Sequence, residues 1–209
     1  MPRDGLLVDF GGVLTTNVFA SFAAFCAEEG LPPEPVAHAF RHEPEPRQLL
    51  FELELGQLSA EDFAPRFAAA IGLPPERADG LIERLFAHAG PDEAMLGAVA
   101  AARRAGKRTG LISNSWGEAL KYDRDAFPDL FDAWVISHEV GLRKPDPEIY
   151  RLGAERIGLA PEACVFVDDL GGNLKPAKAL GMATVKHTDA AETIPRLEEL
   201  LGIPLRDPV

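Results

Sequence analysis

The chain has 209 residues, of which 46% are hydrophobic, so it is long enough to bury one large domain or a core with a smaller cap domain. It carries 33 acidic and 21 basic residues, and the net charge of -12 argues against nonspecific binding to nucleic acid or to an anionic membrane. Because the two cysteines, Cys26 and Cys164, lack metal-type spacing and no apolar run is long enough to span a bilayer, we expect a cytoplasmic protein with a small-molecule partner.

The first predicted element is a buried strand over residues 6–8. This apolar run has no helical spacing, and it is followed by Asp9 and by the glycines Gly11 and Gly12. In an open parallel sheet, ligands bind outside the carboxyl ends of the strands, which makes Asp9 a candidate for chemistry. A simple strand-end cap is the alternative role of this residue.

The sequence pattern of residues 16–90 predicts helices and no strand, with proline and glycine between the helices. Asn17 is predicted to cap the first helix, and the segment from Ser59 to Asp62 resembles a capping box. Both flanks alternate strands with helices, so the change of period predicts a helical cap over residues 16–90, inserted into a core of residues 1–15 and 91–209. The aromatic residues of the insert recur at helical intervals, which favours helix packing over a ligand-binding surface.

The second half of the chain predicts strands that alternate with helices, a pattern typical of a doubly wound parallel α/β sheet with right-handed crossovers. The predicted strands cover residues 107–112, 134–136, 164–167 and 183–185. The predicted helices cover residues 91–105, 117–127, 147–157, 174–180 and 193–201.

Four polar motifs occur in a fixed order between residues 9 and 173. They are Asp9-Phe-Gly-Gly-Val-Leu-Thr, Ser113-Asn114, Gly-Leu-Arg-Lys144-Pro-Asp-Pro and Asp168-Asp169-Leu-Gly-Gly-Asn173. This order resembles the haloacid dehalogenase superfamily, and the helical insert resembles that of its subclass with a cap in the first position. The last motif is most similar to that of the amino-terminal phosphatase domain of soluble epoxide hydrolase. The resemblance implies a Rossmann-like core, a hydrolase activity, a phosphorylated substrate and a Mg²⁺ cofactor.

The acidic residues are candidates for a nucleophile and a metal site. Asp9 is placed to attack phosphorus and form an aspartyl-phosphate. Magnesium prefers oxygen ligands, and Asp9 and Asp169 supply carboxylates, with Asp168 crowding the same region. The resemblance implies the backbone carbonyl of Gly11 as a further ligand. Asn173 brings an amide toward the metal site from a predicted glycine loop, or caps the helix that follows.

Two further motifs offer groups for the phosphoryl oxygens. Ser113 and Asn114 follow a strand and present a hydroxyl and an amide, or they form a polar turn. Lys144 sits in a proline-fixed loop, where its ammonium group bridges Asp9 and the transferring phosphoryl group, or stays solvated as most lysines do. The order of the motifs favours the functional roles. Arg143, by contrast, is expected to have a surface or packing role.

Gly11 departs from the pattern, because phosphatases of the superfamily carry a second aspartate two residues after the nucleophile. That aspartate supplies general acid-base catalysis, which is worth roughly 10² to 10⁴ in rate. We expect a magnesium-dependent phosphatase with low activity or a preference for good leaving groups. The alternatives are a dehalogenase, whose halide needs no proton, and a binding or regulatory protein that holds phosphate or metal without turnover.

Overall fold

The computed structural model describes residues 2–32, 34–117, 122, 124 and 129–206. Within them the strands are β1 (Gly5–Val8), β2 (Arg108–Ser113), β3 (Ala133–Ile136), β4 (Cys164–Asp168) and β5 (Ala183–Lys186). The helices are α1 (Val18–Glu28), α2 (Pro35–His42), α3 (Pro44–Glu54), α4 (Ala60–Ala70), α5 (Leu81–Leu85), α6 (Glu93–Arg104), α7 (Ser137–Val140), α8 (Pro147–Arg156), α9 (Gly171–Ala179) and α10 (Ala190–Leu201). Among these helices, none has the length and apolar character needed to cross a bilayer.

The strands form one parallel sheet in the order β3-β2-β1-β4-β5. The central strand β1 pairs Val8 with Leu111 of β2 on one side and with Val167 of β4 on the other. The three strands therefore end at the same edge of the sheet, and the side chains that follow them are neighbours. The predicted doubly wound α/β fold is confirmed.

Both faces of the sheet are covered, which explains why β1 is apolar at successive positions. Leu6 and Val8 pack in one cluster, which includes Met95 of α6 and Leu197 of α10. Leu7 points to the opposite face and packs in a second cluster, formed with residues of α8 and α9. A charged residue at the sheet edge is therefore held on a rigid, buried support.

Helices α1 to α5 pack around a third apolar cluster, and the described residues between Val18 and Leu85 contain no strand. The side chains of Asn17 and Ser59 accept backbone hydrogen bonds at the starts of α1 and α4, as predicted. An antiparallel bridge joins Thr15 to Pro91 at the base of this helical segment. The chain thus leaves the sheet and returns to it at one place, and we infer that residues 16–90 form a cap.

Two predicted elements differ from the structure or lie outside it. Helix α9 begins at Gly171, so the predicted glycine loop before Asn173 is wrong, because Gly171 and Gly172 already belong to the helix. Asn173 lies in the first turn and is not the cap of the helix. Most of the helix predicted over residues 117–127 lies outside the described residues.

Candidate active site

Three carboxylates meet at the edge of the sheet. Asp9 follows β1, and Asp168 and Asp169 lie at the end of β4. Each contributes an oxygen atom, and these oxygens lie within 4.8 Å of one another. The pairing of β1 with β4 brings these acids together although Asp9 and Asp168 are 159 positions apart in the sequence.

Lys144 balances part of this negative charge. Its Nζ lies 2.7 Å from Oδ1 of Asp9 and 2.8 Å from Oδ2 of Asp168, and its side chain is only 1% exposed. Burial alone would lower the pKa of Lys144, but Asp168 and Asp9 together raise it, so the ammonium group stays charged. The lysine is a buried bridge between the two strand ends and is not solvated.

Asp168 is saturated with donors from the protein. Besides Lys144, the backbone N–H of Leu170 donates to Oδ1 at 2.8 Å. The Nδ2 group of Asn173 donates to both carboxylate oxygens, at 3.0 and 3.1 Å. The amide of Asn173 therefore orients the carboxylate of Asp168, and this carboxylate in turn orients the ammonium group of Lys144.

Asp9 and Asp169 have raised pKa values. For Asp9 the larger cause is burial, with Asp168 adding to it and Lys144 opposing it. Burial and the charge of Asp168 raise the pKa of Asp169 to about 6. Gly12 permits this close approach, because a Cβ there would lie 2.7 Å from Oδ2 of Asp169 and its φ of +72° is left-handed.

The polar residues after β2 are also bound within the protein. The backbone N–H of Lys144 donates to Oδ1 of Asn114 at 2.8 Å, and Nδ2 of Asn114 donates to the carbonyl of Lys144 at 3.0 Å. The hydroxyl of Ser113 shares a 2.8 Å hydrogen bond with that of Tyr122, whose pKa burial raises to about 12. Asn114 therefore clamps the lysine loop, and the predicted contact of its amide with phosphoryl oxygens stays untested.

Glu54, at the end of α3, lines the cavity of the site, and the sequence analysis did not identify it as a site residue. Its carboxylate is 7% exposed and accepts a 2.6 Å bond from Nε of Arg143. Its backbone carbonyl accepts a 2.5 Å bond from the hydroxyl of Ser137. Burial raises the pKa of Glu54, and Arg143 opposes this shift. Arg143 therefore forms an ion pair that joins the helical segment to the loop beside the sheet. The expected surface or packing role of Arg143 did not include this ion pair.

A cavity of about 540 Å³ extends from the acids to the helical segment. Asp9, Gly11, Lys144 and Asp169 line it at the sheet edge. The remaining wall is largely apolar and includes several aromatic residues. These apolar residues include Val18, Phe19, Phe22, Phe40, Leu50, Phe86 and Trp116.

The interpretation of the aromatic residues as helix packing is incomplete. Trp116 packs against Phe22, Phe40 and Phe86 at centroid distances of 5.7, 5.4 and 5.1 Å, so these rings do support one another. The same rings also face the cavity. A helical period marks one buried stripe and does not distinguish a packed face from a cavity wall.

Comparisons with known proteins find relatives of this chain. A family model described as haloacid dehalogenase-like hydrolase matches residues 4–181. Bifunctional epoxide hydrolase 2 of Rattus norvegicus is 35% identical over 115 residues, which are 52% of this chain and only 21% of that protein. Sesquiterpene phosphatase astK of Aspergillus oryzae is 27% identical over 153 residues, 72% of this chain and 78% of that protein.

A solved structure shares the fold. It is an enzyme of the same family from Bacteroides thetaiotaomicron, in complex with magnesium and inorganic phosphate. The similarity covers 89% of this chain and 94% of that chain, with a TM-score of 0.64 and 21% sequence identity.

Proposed function

Because the chain belongs to the haloacid dehalogenase-like hydrolase family, we propose that it is a magnesium-dependent phosphatase that acts on a small phosphorylated molecule through Asp9. The observation that carries this proposal is the 2.7 Å contact between Asp9 and the buried Lys144, beside a second acid that remains available for a cation. The sesquiterpene phosphatase relative, which is matched over most of its length, supports a phosphatase over other hydrolases.

Magnesium fits the donor set of the site. Asp9 and Asp169 offer carboxylate oxygens, and Gly11, which lines the same cavity, offers a backbone carbonyl; all are hard ligands of the kind that Mg²⁺ prefers. A cation among these oxygens would oppose both causes of the raised pKa of Asp169, which are its burial and the charge of Asp168. The ion supplies positive charge against the phosphoryl oxygens. Asp168 and Asn173, also predicted as ligands, stay predictions for this ion; Asp168 binds Lys144, and Asn173 donates to Asp168.

The protein residues divide the hydrolysis into two steps. Lys144 Nζ and the backbone N–H of Phe10 both donate to Oδ1 of Asp9, at 2.7 Å each, which fixes the orientation of the carboxylate. Asp9 forms a bond to phosphorus while the ester P–O bond breaks and the alcohol leaves. Water then cleaves the aspartyl-phosphate, which releases inorganic phosphate and restores Asp9.

Gly11 limits the first step. It has no side chain that could protonate the leaving oxygen, so the proton comes from solvent. Turnover is therefore slow for alkyl phosphates, whose alcohols are poor leaving groups, and faster for esters of acidic alcohols. Gly11 is also the one feature that favours haloacid dehalogenation, because a halide leaves without a proton.

Phosphate release from a panel of aryl and alkyl phosphates, with and without magnesium, tests the proposal. We expect magnesium-dependent release that Asp9→Asn abolishes and that the exposed-site control Lys178→Met retains. Thermal unfolding verifies that both variants fold. Undiminished release by Asp9→Asn would refute the role of Asp9. Magnesium-independent halide release from a 2-haloacid would assign the dehalogenase activity instead.

A further inference from the structure

We infer that the substrate is a phosphate monoester whose alcohol is bulky and apolar, with the apolar group bound in the cavity between the sheet edge and helices α1 to α3. This inference rests on the proposed phosphatase function and specifies its substrate. The cavity volume of about 540 Å³ lies in the range of pockets that hold drug-sized ligands, and a phosphate group alone fills a small part of it.

The wall that faces the alcohol offers few polar partners. Away from the sheet edge, the charged side chains on the described cavity lining are Arg41 and Glu54. Glu54 is already bound to Arg143 and Asn114, at 2.6 and 3.3 Å. Arg41 is the charged donor that remains, and most hydroxyl groups of a sugar or another polyol in this place would be buried against apolar side chains, which disfavours their binding.

The mouth of the cavity is apolar as well. Phe19 and Leu170, which are 38% and 45% exposed, are the large hydrophobic side chains that stay exposed among the described residues. Both line this cavity, although they lie on the helical segment and after β4 respectively. Two exposed hydrophobic side chains at the same cavity indicate a surface that an apolar ligand covers when it binds.

The walls are rigid enough to select by size. Four ring pairs centred on Trp116, with Phe22, Phe40, Phe63 and Phe86, have centroid distances between 5.1 and 5.8 Å. Three of these pairs are edge-to-face and the pair with Phe22 is tilted, and such packing restrains each ring. The cavity is therefore preformed, and each methylene that a ligand buries in it is expected to strengthen binding about fourfold.

Two series of compounds test this inference. The first is 4-alkylphenyl phosphates from methyl to hexyl, in which the leaving-group acidity is nearly constant while the apolar volume grows. We expect KM to fall with each added methylene. The second is n-alkylphosphonates from ethyl to octyl, which are not hydrolysed, titrated by calorimetry into the magnesium-loaded protein. We expect their Kd to fall about fourfold per methylene until the cavity is full, and glycerol phosphate to bind more weakly than any of the longer phosphonates.

A matched pair of variants locates the effect. Phe19→Ser alters an exposed position on the cavity wall and is expected to flatten the dependence of KM and Kd on chain length. Leu152→Ser, on α8 and outside the cavity lining, is the control and is expected to keep the dependence.

The outcomes separate the two proposals. Turnover without any dependence on chain length overturns the apolar substrate and leaves the phosphatase function intact. Phosphonate binding that strengthens with chain length, without phosphate release from any ester, supports the apolar ligand and refutes the phosphatase function. Equal Kd values across the phosphonates overturn the inference whether or not an ester is hydrolysed.

Discussion

Gly11→Asp is expected to raise the turnover of alkyl phosphates. A carboxyl group at this position lies two residues after Asp9, on the wall of the same cavity, where it can protonate the leaving oxygen. General acid-base catalysis contributes about 10² to 10⁴ in rate. The variant therefore tests whether the missing acid limits the reaction.

The backbone at Gly11 accepts a side chain. Its φ lies outside the left-handed region, and a Cβ there would meet only Cγ2 of Val18, at 3.3 Å. A contact of this length requires a shift of a few tenths of an ångström, and Val18 is only half-buried. We expect a stability loss of about 1 kcal/mol, the low end for overpacking, and a gain of about 10² in kcat/KM, the low end for acid-base catalysis.

Steady-state kinetics on esters with leaving groups of different acidity measures the effect. We expect kcat/KM to rise for alkyl phosphates and not for 4-nitrophenyl phosphate, because the leaving group of the latter needs no proton. The dependence of kcat/KM on the pKa of the leaving group is therefore expected to become weaker in the variant. Gly11→Asn is the matched control, since it has the same shape without the acid. If the Asp and Asn variants turn over alkyl phosphates equally, the reasoning is refuted. Adding Val18→Ala to Gly11→Asp removes the steric contact and shows whether crowding masks the gain.

Two further predictions concern charged residues with several partners. Lys144→Met removes the bridge between Asp9 and Asp168 and is expected to lower kcat by about 10² to 10³, whereas Lys178→Met, exposed on α9, is expected to leave kcat unchanged. The second concerns Asp132, which is 8% exposed and binds Arg103 and Arg108 at 2.7 and 2.9 Å. Burial alone would raise the pKa of Asp132, but these partners lower it below the usual range. Its stabilising effect is therefore complete above the ordinary aspartate pKa and is lost as the pH falls through the lowered value. Asp132→Asn is expected to reduce the free energy of unfolding in urea by about 2 kcal/mol at neutral pH and by progressively less as the pH falls below the ordinary aspartate pKa; an equal loss at every pH would contradict this reasoning.

The sequence was sufficient to predict the strands and the acids that follow them. Apolar runs without helical spacing marked β1 and β4, and parallel pairing then required Asp9 and Asp169 to lie at one edge. The start of α9 was misjudged because Gly171 and Gly172 are poor helix formers, and tertiary contacts around Asn173 outweigh that propensity.

Other parts of the site had no signal in the sequence. Glu54 lies in an acidic stretch of α3 where any glutamate could face solvent, and its burial depends on how that helix docks against Arg143. The cavity depends likewise on the gap that remains between packed helices. Patterns along the chain describe each element by itself, whereas both features arise from the placement of one element against another.

The bridge between Thr15 and Pro91 has a consequence for how this enzyme changes. The backbone N–H of Thr16 donates to the carbonyl of Gly90 at 2.8 Å, so the two ends of the intervening stretch emerge side by side from an intact sheet. We propose that this stretch, the inferred cap, can be exchanged as one unit while the carboxylates at the sheet edge keep their positions. A replacement must supply a new partner for Arg143, which would otherwise be left as a half-buried charge without Glu54. Substrate choice can diverge in this way while the chemistry stays constant.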